Sequence, residues 1–193
     1  MATTVGGVLL AAGRGTRFVG GNKLLVEPEG EPIVRRAART ILDALLGEAV
    51  AVLGHDAEAV ESALAGLDIA TLYNENYDDG QSSSVAVGVT AARERDWDAA
   101  LFALGDMPAV DSDTIETLLG AYRAGAGSVV APAYEGRRGN PVLFDSQHFD
   151  ALEDVTGDRG GRDIVEAVGT LVAVDDPGVR TDIDRRCDLP DHS

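Results

Sequence analysis

Up to residue 133 the chain alternates short apolar runs with longer amphipathic ones, and no other feature restricts its fold so much. Val5 to Ala11, Glu48 to Leu53, Ile69 to Tyr73, Ala99 to Leu104 and Ser128 to Pro132 read as buried strands. Between them the 3.6-residue period predicts helices over Glu31 to Leu46, with Pro32 in the first turn, Asp56 to Ala65 and Ser83 to Arg95. A fourth helix is capped by Asp111 and reaches Arg123. A β-α-β-α order of this kind predicts a mostly parallel sheet covered by helices. Beyond residue 133 the rhythm breaks. There Tyr134 to Arg138 and Pro141 to Phe144 read as a hairpin around Gly139, and Gly157 to Val168 as a loop entering a helix. With 193 residues and no repeat, low-complexity tract or linker, the expectation is one domain over 1–193.

Right-handed crossovers place every loop that follows a strand on one edge of such a sheet, and ligands of open parallel sheets bind along that edge. The residues with chemistry here do follow strands. The loop after the first strand carries Gly13, Arg14, Gly15, Arg17 and Lys23. Its glycines let backbone N–H groups approach an anion, and its arginines fork onto phosphate oxygens. Lys23 is the only lysine beside fifteen arginines, a compact point charge kept next to a glycine-rich turn. The loop has neither the Gly-x-Gly-x-x-Gly of a dinucleotide fingerprint nor a Walker lysine followed by Ser or Thr.

Gly105-Asp106-Met107-Pro108 follows the strand ending at Leu104, and places a carboxylate in a proline-stiffened turn that suits Mg²⁺ beside a substrate phosphate. Thr181-Asp182-Ile183-Asp184 alternates carboxylates, so an extended backbone sets both on one side; Asp184 completes a two-carboxylate site with Asp106, or the pair is surface charge. Asn74 to Ser84 follows the third strand and opens a helix. Its Asn and Ser side chains suit a nucleobase edge, while Ser82 or Ser83 also reads as a plain helix cap.

The formal net charge of −17 disfavours nucleic acid and anionic lipid as partners, since both need basic patches. Acid excess with almost no lysine is a halophilic composition, fitting a salt-rich cytoplasm. Cys187 is the only cysteine, which excludes an intramolecular disulfide and a thiolate zinc site. No basic region precedes the first apolar run, and that run is too short to span a bilayer, so the expectation is a cytoplasmic protein without a membrane partner. His55, His148 and His192 lie apart in sequence from any second ligand of the zinc type and are assigned no metal.

Taken in order, Leu-Ala-Ala-Gly-x-Gly-x-Arg-Phe, Asn-Lys-Leu-Leu, Gly-Asp-Met-Pro and Asp-Ile-Asp resemble the nucleotidyltransferases that build molybdenum cofactor dinucleotides, most of all molybdopterin cytidylyltransferases. Arg137 to Phe144 and Gly157 to Arg162 resemble second-half motifs of that family, and the likeness runs from about Gly7 to Leu189. The resemblance implies a three-layer α/β/α Rossmann-like nucleotidyltransferase fold, with an NTP half over 1–110 and an acceptor half over 111–193. It puts Arg17, Lys23 and Asp106 at the catalytic centre, with Arg17 and Lys23 on the triphosphate and Asp106 and Asp184 on Mg²⁺. By the same resemblance Leu10, Ala11, Ala12, Gly13, Arg14, Gly15, Asn74, Gly80 and Ser84 would bind the nucleotide. Gly139, Asn140, Gly157, Asp158, Arg159 and Arg162 would face the pterin.

Guanylyl-transferring relatives carry glycine where this chain has Ala12, and the added methyl implies CTP over GTP. Asn140 stands where histidine is usual, and Arg185-Arg186-Cys187 replaces the usual Thr-Pro-Glu. The implied partners are CTP or GTP, a phosphorylated pterin and a molybdoenzyme apoprotein. The reaction the resemblance implies is attack of an acceptor phosphate oxygen on the α-phosphorus, with pyrophosphate leaving. Nucleotidyl transfer to a phosphorylated sugar, polyol or lactate, and a cofactor carrier without turnover, are the competing readings.

Overall fold

The computed structural model describes residues 3–15, 21–44, 46–157, 160–184 and 188. One eight-stranded sheet runs through the molecule in the order β3-β2-β1-β4-β7-β5-β6, with β8 paired to β5. Its strands are β1 (Val5–Ala11), β2 (Ala49–Leu53), β3 (Ala70–Tyr73), β4 (Ala99–Leu104), β5 (Val129–Tyr134), β6 (Arg137–Arg138), β7 (Val142–Asp145) and β8 (Thr170–Ala173). The helices are α1 (Ile33–Asp43), α2 (Ala57–Leu64), α3 (Gln81–Glu94), α4 (Ser112–Arg123), α5 (Phe149–Glu153) and α6 (Arg162–Val168).

The two-residue period of the strands sorts the core into two layers. Leu9, Ala51, Leu53 and Leu101 face Val34, Ile41, Val60, Leu64, Ile115 and Leu118 of α1, α2 and α4. Val8, Val50, Val52 and Phe102 face Val85, Val89, Phe149, Leu152 and Val165 of α3, α5 and α6. The three-layer α/β/α architecture expected from the sequence is the one observed. Among the described residues, no helix is long and apolar enough to cross a membrane.

From β1 the chain steps outward through α1 to β2 and through α2 to β3, all parallel. It then returns through α3, on the opposite face, to β4 beside β1. The order of strands therefore reverses between β1 and β4. Loops leaving two such strands diverge and open a crevice at the carboxyl edge of the sheet.

The second half departs from the expected hairpin. Arg137–Arg138 does not pair with the apolar run beyond Gly139. It folds back on β5, with Tyr134 opposite Arg137, across a two-residue turn in which Glu135 and Gly136 have φ of 49° and 74°. β7 instead inserts between β4 and β5, antiparallel to both. Asp182 and Asp184 also do not follow a strand directly, since a short 3₁₀ turn, Pro177–Arg180, separates them from β8.

Candidate active site

The first loop leaves β1 at Ala11 and is clasped to its neighbours by backbone. Gly105 N donates to Leu10 O at 2.9 Å, and His55 N donates to Ala12 O at 3.0 Å. Asn22 then caps a 3₁₀ turn over Lys23–Leu25, its Oδ1 accepting from Leu24 N at 3.0 Å. Leu24 is buried in the core, and this anchors Lys23 with its side chain directed inward.

There the ammonium meets two carboxylates. Lys23 Nζ donates to Asp106 Oδ2 at 2.5 Å and to Asp184 Oδ1 at 3.0 Å, with the lysine only 9% exposed. Burial pulls the Lys23 pKa down, but the charges and hydrogen bonds of Asp106 and Asp184 outweigh it and hold the ammonium above the ordinary lysine value. The C-terminal segment is brought here by Ile183, whose N–H donates to Asp106 O at 3.0 Å and whose side chain packs on Ile33. Carboxylate oxygens of Asp106, Asp182 and Asp184 all lie within 4.8 Å of one another. An all-oxygen acidic donor set suits a hard divalent cation. Lys23 stands between two of its members as positive charge of the protein's own.

A cleft of about 500 Å³ opens above this cluster, lined by Leu10, Ala11, Ala12, Gly13, Arg14, Gly15, Lys23, Asp106 and Asp184. Gly80 and Ser84 wall its other side. Of the residues expected on the nucleotide, those named so far therefore do meet around one cavity. Arg17 lies outside the described residues.

Asn74 is the exception. It is 2% exposed and its amide is spent within the protein, donating to Ser83 Oγ at 2.9 Å and Ser84 Oγ at 3.0 Å while its Oδ1 accepts from Asn76 N at 2.9 Å. It ties the loop after β3 to α3 and does not line the cleft. Arg14 is at the cleft with its fork engaged: Nε and Nη2 each lie 2.7 Å from an Asp78 oxygen, and the guanidinium sits 5.7 Å from the Tyr77 ring centroid. Tyr77, Asp78 and Gln81 also line the cleft. Sequence reasoning assigned none of them, although all fall inside the segment it singled out. Gly54 makes room for Tyr77, since a Cβ there would lie 2.5 Å from Tyr77 Cβ.

A second cavity of about 180 Å³ adjoins the first and shares Leu10, Gln81 and Leu104 with it. Phe102 and Phe144 meet edge to face in its wall, with ring centroids 5.9 Å apart, and Arg138, Asn140 and Arg162 supply polar groups. Asn140 and Arg162, both expected on the acceptor, line this cavity together. Gly139 does not: it packs against the chain at Val179, whose carbonyl oxygen would lie 2.3 Å from an added Cβ. Gly157 lies in a turn and does not line the cavity, whereas Gly160 and Gly161 do. Asp158 and Arg159 lie outside the described residues. Asp184 of the second half closes the first cavity, and Gln81, Val85 and Phe102 of the first half wall the second.

An α/β sheet with a glycine-rich loop, a lysine and clustered carboxylates at its switch point is the layout of an NTP-handling transferase. The MobA-like NTP transferase domain model matches residues 7–175, and the chain belongs to that family. It is 36% identical over 167 residues to nicotine blue oxidoreductase of Paenarthrobacter nicotinovorans, covering 82% of this chain and 79% of the relative. A nucleotidyl transferase from Methanothermobacter thermautotroptrophicus superposes with a TM-score of 0.83 at 27% identity, over 97% of this chain and 94% of that one. A manganese complex of Rv0371c from Mycobacterium tuberculosis superposes with a TM-score of 0.78 at 25% identity, over 96% of each chain.

Proposed function

We propose that this chain is a cytoplasmic cytidylyltransferase that moves CMP from CTP to the phosphate of a molybdopterin-type acceptor and releases pyrophosphate. The observation that carries the proposal is the set Lys23, Asp106 and Asp184 at the floor of a cleft walled by the Gly13–Gly15 loop. Asp106 and Asp184, joined by Asp182, would hold Mg²⁺, and the manganese bound by Rv0371c supports a divalent cation for this fold. When bound, the ion neutralises triphosphate charge and polarises the α-phosphate.

The acceptor phosphate is already an anion, so no protein nucleophile is needed. What the chain supplies is alignment and charge. Lys23 turns from the carboxylates to the departing pyrophosphate, joined by Arg17 as the resemblance implies. The second cavity, walled by Phe102 and Phe144 with Gln81, Arg138, Asn140 and Arg162 as polar groups, fits a flat heterocycle. Ala12 is buried in the cleft wall, and its methyl is the feature that favours CTP. On this reading residues 1–110 supply most of the nucleotide cleft and 111–193 most of the polar groups for the acceptor.

The test is pyrophosphate release in high salt with Mg²⁺, molybdopterin or its molybdenum form, and CTP or GTP in parallel. Release with CTP alone is expected. Release with GTP alone would reassign the base, and silence from folded protein would overturn nucleotidyl transfer. One observation favours a second reading: the P. nicotinovorans relative is named an oxidoreductase. The same cleft would then hold the nucleotide part of a redox dinucleotide. NAD(P)H oxidation without pyrophosphate release in these samples would carry that reading instead.

A further inference from the structure

We infer that Gln81 contacts the transferring phosphates, donating its carboxamide N–H groups where nucleotide and acceptor meet. The inference rests on the proposed function, because it takes the two cavities as nucleotide and acceptor sites. Three residues line both cavities, Leu10, Gln81 and Leu104, and Gln81 is the polar one. Every other polar side chain of the site belongs to one cavity alone: Arg14, Lys23, Tyr77, Asp78, Ser84, Asp106 and Asp184 to the first, Arg138, Asn140 and Arg162 to the second.

Two further observations set Gln81 apart. Among the described residues its carboxamide has no hydrogen-bond partner, whereas Asn74 nearby spends its whole amide inside the protein. It is also the first residue of α3, and its side chain reaches toward Gly160 of the second cavity, where a Cβ would lie 3.2 Å from Gln81 Oε1. An unspent amide at that seam is available to a ligand.

The chemistry at that seam explains a neutral donor. An acceptor phosphate oxygen must form its bond to the α-phosphorus while the bond from that phosphorus to the bridging oxygen breaks and its electron pair leaves with pyrophosphate. Two anions approach each other. A carboxamide offers two N–H donors without a carboxylate's repulsion and without an ammonium's demand for a counter-ion.

The experiment compares wild type, Gln81→Leu and the isosteric Gln81→Glu. Pyrophosphate release is followed against acceptor concentration at saturating CTP, and CTP binding is measured separately by calorimetry. Both variants should lose at least about 10-fold in kcat/KM for the acceptor, the scale of a lost phosphate-facing donor. Gln81→Glu should lose at least as much as Gln81→Leu, and CTP affinity should stay within about 3-fold in both. A purely packing role would spare Gln81→Glu, so an isostere with wild-type kcat/KM overturns the inference. So does a loss that resides wholly in CTP affinity. A silent wild type overturns the transferase reading and this inference with it; an active wild type with unaffected variants overturns the Gln81 inference alone.

Discussion

Removing the Lys23 ammonium tests the central geometry directly, because the structure says what is left behind. In Lys23→Met, Asp106 and Asp184, about one-fifth exposed by side chain, lose the ammonium that bridges them, with Asp182 beside them. The two contacts, at 2.5 and 3.0 Å, have a gross Coulomb energy of about 12 kcal/mol at an effective dielectric of about 20. Desolvation of the three groups and repulsion between the carboxylates cancel most of it. Deleting one partner of a buried pair costs about 3–5 kcal/mol, and partial exposure here points to about 2–3 kcal/mol. A divalent cation should restore that loss in the variant, since binding at 100 times its dissociation constant stabilises by about 2.7 kcal/mol. The assay is urea unfolding of wild type and Lys23→Met, each in EDTA and in millimolar Mn²⁺ or Mg²⁺. The variant should be less stable in EDTA, with the gap closing in metal. A gap that is the same with and without metal would mean that the ion does not take the place of the Lys23 ammonium between Asp106 and Asp184, and would refute the reasoning.

Three further outcomes are expected. Asp106→Ala should lower turnover by at least about 10²-fold, roughly 2.7 kcal/mol of barrier, and single-turnover rates within a few-fold of wild type would remove Asp106 from the site. Asp176 is 8% exposed and accepts from Asp111 N, Thr114 Oγ1 and Gly178 N at 3.0, 2.8 and 2.8 Å, so Asp176→Ala should destabilise by about 2–4 kcal/mol in urea unfolding. Tyr122 is pushed well above the ordinary tyrosine value of 10.0, by burial first and then by its bond to Asp145 at 2.6 Å. A raised folded pKa contributes stability that is complete below the unfolded value and is lost as pH climbs through the folded one. Tyr122→Phe should therefore remove a late-titrating phenol from the alkaline absorbance titration and flatten the loss of stability above about pH 10.

Local pattern carried much of this fold. β1 and β4 fall on the residues that the apolar runs marked, and Asp111 caps α4 through its bond to Asp113 N at 3.0 Å. The pattern failed where pairing is decided by distant residues. Val142 to Phe144 is apolar and reads the same in either direction, so nothing in it announces a strand reversed between β4 and β5. The site shows the same division. Gly13, Gly15, Lys23 and Asp106, singled out because they lie in loops that follow strands, do line one cleft. Asn74 does not line it, because a spent amide and an offered one look alike in sequence.

The reversal of β7 also explains how the second cavity comes to lie beside the first. In a strictly parallel sheet only the residues that follow strands reach the ligand edge. β7 runs against β4 with Val142 opposite Phe102, so the residues that precede it reach that edge instead. Arg138 and Asn140 thereby arrive next to Leu104, at the end of the strand that delivers Asp106. The same register sets Phe144 edge-on to Phe102 and completes the apolar wall. One antiparallel strand at this position thus brings Arg138 and Asn140 from the second half of the chain up to the cavity that adjoins the first cleft. Gln81 lies where the two sets of residues meet.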